Sequence, residues 1–386
     1  MKIAFLWYYL TGFWNSCLKE LAGREGVELF VCHMAATKGD APFDDGQFAW
    51  MTNRMTWRSS SDLQQLEARL EDFMPDIIVF AGWHQPRYRA AAKRFVNRCW
   101  RVMSMDNCWL GTLKQRLGVV ISRAYVQPLA DAIWVPGERQ AVFARRLGFG
   151  QRAILRGLLS CDQPAIDAAH KSRLNTGGRL PRSFLFVGRF APEKGVNTLV
   201  KAYVAYRRSI KDPWPLICCG TGPLRSRFEG QEGIILKGFV QPDQIPAVLA
   251  SAGCLVLPST FEPWAVVVHE AACAGLPILV SEKVGAAVHL VQPNYNGFIF
   301  GDGDGEGLAA CMTQISAMSD ERREEMSRAS SQLSKQFSPR LWADVLLESF
   351  AGRSKDPSLS AITAQEVSSQ RHYFPADEAV PAGKGT

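Results

Sequence analysis

Short apolar runs alternate with longer amphipathic segments along most of the chain. Six such runs occupy the first 160 residues, and they read KIAFLW, VELFVCHM, PDIIVFAG, WRVMSM, DAIWVP and AILRG. The alternation restarts near residue 183 with SFLFVG, PLICCG, GIILKG, GCLVLP, LPILVS and GFIF. A strand–helix–strand rhythm indicates a parallel sheet covered by helices on both faces. We therefore predict an α/β protein with two successive doubly wound, Rossmann-like domains.

A polar stretch that includes LNTGGRLPR separates the two alternations and is typical of an interdomain linker. The predicted divisions are a first domain over 1–165, a linker over 166–182 and a second domain over 183–337. Ser338-Pro339 before an apolar-periodic run predicts a last helix over 338–352. Residues 353–386, rich in Ser, Ala, Pro and Gly, are predicted to be a mobile tail.

The composition is that of a globular protein long enough for two cores, with 386 residues of which 47% are hydrophobic. No apolar run approaches the roughly 20 residues of a membrane span. The N-terminal run after Lys2 lacks a small-residue cleavage site, which favours a first strand over a secretion signal. The ten cysteines show no metal-ligand spacing and often lie in apolar runs. They indicate core positions in a reducing compartment, so we expect a cytoplasmic protein.

The stretch FEPWAVVVHE, residues 261–270, carries two carboxylates that can face one crevice. On a helix, Glu262 and Glu270 would lie on nearly the same face, roughly 12 Å apart along the axis. Val266 and Val267 would then face the sheet behind. This arrangement suits a ligand with two polyol ends, such as a sugar nucleotide. On the spacing alone, an ordinary helix with two surface acids is the simpler interpretation.

Ligands of open parallel sheets bind beyond the carboxyl ends of the strands, so the strand exits are where chemistry is expected. After SFLFVG the chain reads Gly188-Arg189 and, five residues on, Lys194; arginine can fork two hydrogen bonds to a diphosphate and lysine adds a point charge. The other exits supply Gly220, Gly222, Phe239, Val240 and, at a predicted helix start, Gly285. Surface cations and tight turns explain each feature alone. Together, on successive exits of one sheet, they predict a nucleotide site.

The second half resembles the donor domain of a family 4 glycosyltransferase, one of the glycosyl transferases group 1. The resemblance covers about residues 183–301 and lies in VGRFAPEKGVNTLV, CGTGPL, KGFV, LPSTFEPWAVVVHEAACAGLPILVS, VGAA and NGFIF. It implies the GT-B architecture, in which two domains face each other across a cleft and a C-terminal helix crosses back to the first. It also implies retaining transfer of a sugar, of the hexosyltransferase type, from a nucleotide-sugar to a glycan or lipid-linked acceptor. Bacterial polysaccharide or lipopolysaccharide synthesis is the expected context.

The same resemblance implies roles for individual residues. Arg189 and Lys194 would bind the donor diphosphate and stabilise the leaving group, Glu270 would bind the ribose, and Glu262 would contact the transferred sugar. Other donor-binding positions are Gly188, Gly220, Gly222, Phe239, Val240, Pro263, Trp264, Ala265 and Val266. Cations and helix dipoles can neutralise leaving-group charge, so neither a metal nor a cofactor is expected. The run Asp302-Gly303-Asp304 is interpreted as a turn and helix cap.

The chain departs from the family at two positions. Ala265 stands where the family usually has glycine, and Asp106 stands where many members carry a histidine. The candidate acceptor-side residues are Thr11, Gly12, His84, Asp106 and Asn107, with Asp106 also a candidate catalytic residue; a structural role for His84 is equally compatible. Because Asp106 replaces the histidine, a noncatalytic sugar-nucleotide-binding subunit is an alternative function. A GT-B epimerase or phosphorylase is a further alternative.

The net charge of +7 lies entirely in the first half, since residues 1–175 hold 23 Lys+Arg and 16 Asp+Glu whereas the remainder holds 21 of each. The basic positions form two segments: Arg87, Arg89, Lys93, Arg94, Arg98 and Arg101, then Lys114, Arg116 and Arg123. Beside Trp109 and Tyr125 they indicate contact with an anionic membrane surface, peripheral on the inner leaflet. A solvated helix face is the alternative. No recognition motif accompanies the charge, so nucleic acid is not an expected partner.

Overall fold

The computed structural model describes residues 1–35, 44–175 and 177–353. Residues 1–346 form one compact unit and 347–386 a second. Of the second unit the structure describes 347–353, the end of a helix in which Arg353 lies over the ring of Phe350. The predicted mobile tail, from residue 354 on, lies outside the described residues.

Thirteen strands and thirteen α-helices are described in these ranges. The strands are β1 Lys2–Leu6, β2 Glu28–Met34, β3 Arg54–Trp57, β4 Ile77–Ala81, β5 Trp100–Ser104, β6 Ala132–Val135, β7 Ile154–Arg156, β8 Phe184–Val187, β9 Leu216–Cys219, β10 Ile234–Gly238, β11 Cys254–Leu257, β12 Ile278–Ser281 and β13 Gly297–Phe300. The helices are α1 Gly12–Ala22, α2 Leu66–Phe73, α3 Pro86–Arg94, α4 Leu113–Tyr125, α5 Glu138–Arg146, α6 Gln163–Asn175, α7 Val196–Ser209, α8 Ile245–Ala250, α9 Val266–Cys273, α10 Ala287–Leu290, α11 Gly305–Ala317, α12 Asp320–Ser334 and α13 Pro339–Arg353.

The strands form two parallel sheets, in the orders β3-β2-β1-β4-β5-β6-β7 and β10-β9-β8-β11-β12-β13. Central strands such as β4 are buried along their whole length, as expected of parallel strands with helices on both faces. All twelve apolar runs contain strands, which confirms the predicted α/β class with two Rossmann-like domains. Strand β3, at one edge of the first sheet, was not predicted. Its sequence, RMTW, gives a weak signal because the strand pairs only with β2 and has one buried residue, Trp57.

The last helix crosses back to the first sheet, as the GT-B expectation requires. Trp342 of α13 is 1% exposed and stacks on Trp134 of β6 at a centroid distance of 4.8 Å. It also stacks on Phe5 of β1 at 5.6 Å, and its indole N–H donates to the carbonyl of Leu158 at 2.8 Å. Burying so large a side chain against the first sheet anchors the start of α13 there.

Two segments are more regular than their polarity suggested. The predicted linker 166–182 begins inside α6, where Ile166 and His170 are buried. The polar segment from residue 320 is α12, which buries Arg323, Met326 and several small side chains. The Ser319 hydroxyl caps its N-terminus. The interpretation of Asp304 as a helix cap is confirmed, because its carboxylate accepts from the Gly307 N–H at 2.7 Å. The predicted domain boundaries themselves stay a prediction.

Candidate active site

A cavity of about 510 Å³ opens at the carboxyl edges of both sheets. Its lining comprises Thr11, Gly12, Phe13, Asn15, Gln47, Asp162, Ala165, Ile166, Val187, Gly188, Arg189, Cys219, Gly220, Thr221, Phe239, Val240, Pro242, Asp243, Ile245, Pro246, Val266 and Glu270. The strand order reverses between β1 and β4 in the first sheet and between β8 and β11 in the second. The loops after β1 and β8 both line the cavity, so each sheet contributes its topological switch point, where open α/β sheets bind ligands.

The glycines after β8 and β9 allow the two loops beside the cavity to pack closely against each other. Gly220 has φ 144°, and a Cβ there would lie 1.9 Å from the carbonyl oxygen of Gly188. Gly222 has φ 148°, and a Cβ there would meet the Phe190 carbonyl at 2.6 Å. Both positions therefore require glycine on steric grounds. Gly188 and Gly220 line the cavity, whereas Gly222 is not among the lining residues.

The two predicted diphosphate cations are both paired with carboxylates of the chain. Arg189 lines the cavity and forms an ion pair with Glu193. This pair lowers the pKa of Glu193, together with a backbone N–H that contributes most. Lys194 forms an ion pair with Glu262, in which the two side chains are 22% and 12% exposed. A ligand diphosphate would compete with these acids for the cations.

The helix that carries Glu270 begins later than the spacing implied. Because α9 starts at Val266, Glu262 lies outside it, in a loop that makes an isolated parallel bridge to Val284. The reasoning that placed both acids on one helix face is therefore wrong. Val266 and Val267 both pack against the core of the second sheet, as expected, and Val266 also lines the cavity. The helix buries Val268, His269, Ala271, Ala272 and Cys273.

Ala265 precedes α9 in the left-handed conformation, with φ 79° and ψ 88°. An L-residue with a Cβ is disfavoured there by roughly 1–2 kcal/mol relative to its usual conformations. The glycine that the family usually has at this position would remove that cost. Beside it, Trp264 is 3% exposed and packs on Phe337 at 5.2 Å, with its indole N–H buried and without a partner.

Glu270 faces the cavity among groups that oppose its ionisation. Burial raises its pKa to about 7, with smaller contributions in the same direction from Cys273 and Asp162. His269 acts in the opposite direction. The Glu270 side chain is partly accessible, on the side that borders the cavity. Hydrogen bonds from the hydroxyl groups of a ligand would stabilise the charged form of this poorly solvated carboxylate.

Contacts between the two sheet regions converge on the loop after Glu262. The Gln140 side chain donates to the Pro263 carbonyl at 2.5 Å and to the Asp106 carbonyl at 3.3 Å. The thiol of Cys108 also approaches the Pro263 carbonyl, at 3.7 Å. Gly285 was expected to begin an anion-facing helix, but its N–H donates to the Glu262 carbonyl and α10 has only four residues. The expectation of an anion site there is wrong.

The predicted acceptor-side residues fall into two groups. Thr11 and Gly12 line the cavity, and the Thr11 hydroxyl is buried without a hydrogen-bond partner. Asp106 and Asn107 follow β5 and are exposed, and His84 is exposed beside Trp83. None of these three is among the cavity-lining residues. Phe239 and Val240 line the cavity as predicted, whereas Pro263, Trp264 and Ala265 do not.

Several lining residues were missed from the sequence. Asp162 precedes α6 near the end of the predicted first domain, and an acid directly before Gln163-Pro164 is a recognisable helix-start signal. Pro242 lies against Gly12, where a Cβ would come within 2.4 Å of the proline Cβ. Asn15 and Gln47 reach the cavity from the first half, and no local pattern marks them.

The described cysteines are reduced, and eight of the ten are buried, as expected of core residues. Cys161, His269 and Cys273 form a buried cluster that their sequence positions did not indicate. The two thiols lie 3.6 Å apart. The His269 ring already accepts from the Cys161 N–H at 3.3 Å and donates to the Ser334 carbonyl at 3.1 Å. Through these contacts, Cys161 in the segment before α6 packs against α9.

The first basic segment is not the amphipathic face that its sequence suggested. Arg101 lies in β5, is 5% exposed, and binds Asp131 as well as the carbonyls of Ala92 and Pro128. Arg94 and Arg98 both pair with Glu71. The prediction that the first basic segment is a membrane-facing helix is therefore wrong for Arg101. In the part of the chain that the structure describes, no helix is long and apolar enough to cross a membrane.

Comparisons with known proteins agree with this geometry. Residues 178–333 match the family model described as glycosyl transferases group 1. An uncharacterised glycosyltransferase of Methanocaldococcus jannaschii is 31% identical over 125 residues, 30% of this chain and 31% of the relative. The 2-deoxystreptamine N-acetyl-D-glucosaminyltransferase of Niallia circulans is 33% identical over 130 residues, 32% of this chain and 33% of the relative. The chain thus spans about a third of the length of these relatives.

The fold similarity extends over nearly the whole chain. The crystal structure of Anabaena HepE in complex with UDP and glucose superposes with a TM-score of 0.68 at 16% identity, covering 91% of this chain and 100% of that one. The two parallel-sheet domains therefore adopt the GT-B fold. The family match supports a glycosyltransferase on that fold.

Proposed function

We propose that this chain is a retaining glycosyltransferase of family 4 that moves a sugar from a nucleotide-sugar donor to a hydroxyl of a glycan or lipid-linked acceptor. The observation that carries the proposal is that the switch points of both sheets share one cavity. Arg189, Glu270 and the glycine loop at Gly220 line this cavity. The match to the group 1 model supports the transferase class. The UDP in the HepE complex supports a nucleotide-sugar donor.

The proposed roles follow from charge and position. Arg189 and Lys194 bind the diphosphate and exchange their present partners, Glu193 and Glu262, for its oxygens. Two preorganised cations would stabilise the developing charge of the leaving group, and the reaction would require no metal. Glu270 accepts hydrogen bonds from the ribose hydroxyls.

Release of Lys194 frees Glu262 to contact the transferred sugar. The acceptor hydroxyl would then attack the anomeric carbon from the face that the diphosphate leaves and give its proton to the departing phosphate oxygen. Attack from that face retains the anomeric configuration. Thr11 and Gly12 line the cavity from the first half of the chain, and we assign them to the acceptor side. The unpartnered Thr11 hydroxyl would be available to an incoming sugar. We place the reaction in the cytoplasm, in polysaccharide or lipopolysaccharide synthesis.

Thermal-shift measurements with UDP, GDP and ADP test the binding part of this proposal. One of the three should raise the unfolding temperature clearly, and Glu270→Ala and Arg189→Ala should each reduce that rise. Arg225→Ala is the matched control, because Arg225 belongs to the same half and pairs with a nearby acid, Glu229, without lining the cavity. A shift that survives both site variants would refute the placement of the donor.

A further inference from the structure

Helix α4 exposes most of its apolar side chains to solvent, and only Val119 packs against the core. The exposed apolar residues of α4 and of the turn before it are Leu110 (60%), Leu113 (85%), Leu117 (63%), Val120 (78%), Ile121 (44%) and Tyr125 (64%). The one buried side chain of this 13-residue helix is Ser122, whose hydroxyl donates to the Leu147 carbonyl at 2.7 Å. An ordinary surface helix has the opposite arrangement, with its apolar face on the core.

The exposed side chains form one stripe with cations on both sides. At 100° per residue, Leu113, Leu117, Val120 and Ile121 fall within about 100° of the helix circumference. Lys114 lies at one margin of this stripe, and Arg116 and Arg123 lie at the other. The helix sequence, LKQRLGVVISRAY, contains no acid. An apolar stripe between cationic margins is the pattern of a helix that lies in a lipid–water interface.

Polar contacts hold the opposite side of α4 on the protein. The Gln115 amide donates to the Cys108 carbonyl and accepts from the Leu110 N–H, both at 2.7 Å. The Thr112 hydroxyl caps the helix by accepting from the Gln115 N–H at 3.3 Å. These bonds fix the orientation of the helix, so the outward stripe is a built feature of the fold. Contiguous exposed apolar surface of this kind marks an interaction site.

We propose that α4 is a monotopic membrane contact, which inserts its apolar stripe into a bilayer and places Lys114, Arg116 and Arg123 among anionic headgroups. Charge favours lipid over a second copy of the chain. A symmetric pairing of two stripes would bring like cations together with no acid of α4 to offset them. Of the two basic segments for which membrane contact was expected, this assigns the contact to the second, Lys114 to Arg123 in α4.

The position of α4 relates this contact to the cavity region. Cys108, which Gln115 holds through its carbonyl, also contacts the Pro263 carbonyl beside Glu262. A bilayer against α4 would present lipid-linked sugars within a few contacts of that loop. The inference deepens the proposed function by naming a lipid surface as the partner of the acceptor side. It rests on that function only for the identity of the acceptor, because lipid binding needs no turnover.

Co-sedimentation of the full chain with phosphatidylcholine vesicles, with and without phosphatidylglycerol, tests the proposal. The wild type should bind the anionic vesicles at least tenfold more strongly than the neutral ones. Leu113→Ser/Leu117→Ser/Val120→Ser should lose at least tenfold of that binding at every salt concentration. Lys114→Gln/Arg116→Gln/Arg123→Gln should lose the preference for phosphatidylglycerol. Leu117→Asp, a single change at a 63% exposed position, is a second variant if the triple change disturbs folding.

The controls have the same chemistry elsewhere on the surface. Val288→Ser/Leu341→Ser removes exposed apolar side chains outside α4, and Arg87→Gln/Arg89→Gln/Lys93→Gln removes the charges of α3; both should bind as the wild type does. No binding to anionic vesicles, or equal binding by the serine variant, overturns the proposal. A wild-type dimer that becomes monomeric in the serine variant would also overturn it and identify a second copy as the partner. Thermal shifts with nucleotide, measured on the same variants, separate this failure from failure of the donor site.

Discussion

Replacing Glu270 by glutamine should make the ligand-free protein more stable. Burial raises the pKa of Glu270 from 4.5 to about 7. Above pH 7 this shift corresponds to at most ~3 kcal/mol of destabilisation of the folded state, and water in the cavity screens part of it. Below pH 4.5 the carboxyl is protonated in both the folded and the unfolded state, so no penalty exists. Between pH 4.5 and 7 only the unfolded state gives up its proton, and the stability of the wild type falls as the pH rises.

Glutamine has nearly the same shape and no charge, so the variant escapes this penalty. Thermal unfolding without ligand should show Glu270→Gln above the wild type by several degrees at pH 8 and close to it at pH 4.5. The same substitution should weaken nucleotide binding, because a carboxylate accepts hydrogen bonds from the ribose hydroxyls more strongly than an amide does. A variant that is less stable than the wild type at pH 8 would refute the reasoning.

The nucleotide affinity should also depend on pH through this group. The ionised fraction of a carboxyl with a pKa of about 7 rises about tenfold from pH 6 to pH 8. UDP titrates in the same range, so the informative quantity is the ratio of wild-type to Glu270→Gln affinity, measured by calorimetry. That ratio should increase about tenfold over this interval. Parallel pH profiles of the two proteins would show that Glu270 does not bind the nucleotide as an anion.

Three further substitutions have expected outcomes. Ala265→Gly should stabilise the protein by about 1 kcal/mol in urea unfolding, because φ 79° favours glycine. Lys194→Ala should lower donor turnover by about 10²–10³-fold, because it removes a cation beside the leaving group and leaves Glu262 unpaired. Arg101→Ala should destabilise the protein by about 3–5 kcal/mol, because the buried guanidinium satisfies Asp131 and two backbone carbonyls.

Each of these has a matched control. Ala286→Gly, at a buried position with φ −66°, should destabilise and so have the opposite sign to Ala265→Gly. Lys201→Ala, an exposed lysine on α7, should leave turnover unchanged. Arg94→Ala breaks an exposed pair with Glu71 and should cost under about 1 kcal/mol. Equal effects in a variant and its control would contradict the reason given for that variant.

The strand pattern predicted the fold because buried parallel strands are short continuous apolar runs, such as IIVFA of β4. The edge strand β3 escaped notice since RMTW has only one buried residue. Local signals also located Gly188, Gly220 and Arg189 at strand exits. Asn15 and Gln47 reach the cavity through tertiary folding alone, and no local pattern marks them.

Helix positions were the less predictable part. The spacing of the two acids was interpreted as one helix that carries both, whereas α9 begins only at Val266, after the left-handed Ala265. A helical pattern also cannot distinguish an apolar face on the core from one in solvent, and α4 is the second case. Arg101 looked like part of a basic helix face because the charges around it are dense, although it lies in a central strand.

Transfer of a sugar from a nucleotide in this cavity is best measured as release of nucleoside diphosphate from a panel of nucleotide-sugars, with and without glycan and lipid-linked acceptors. We expect acceptor-dependent release from at least one donor by the wild type, and its loss in Lys194→Ala and in Glu262→Gln. Conversion of the donor without an acceptor, a requirement for free phosphate, or binding without release under every acceptor would contradict it.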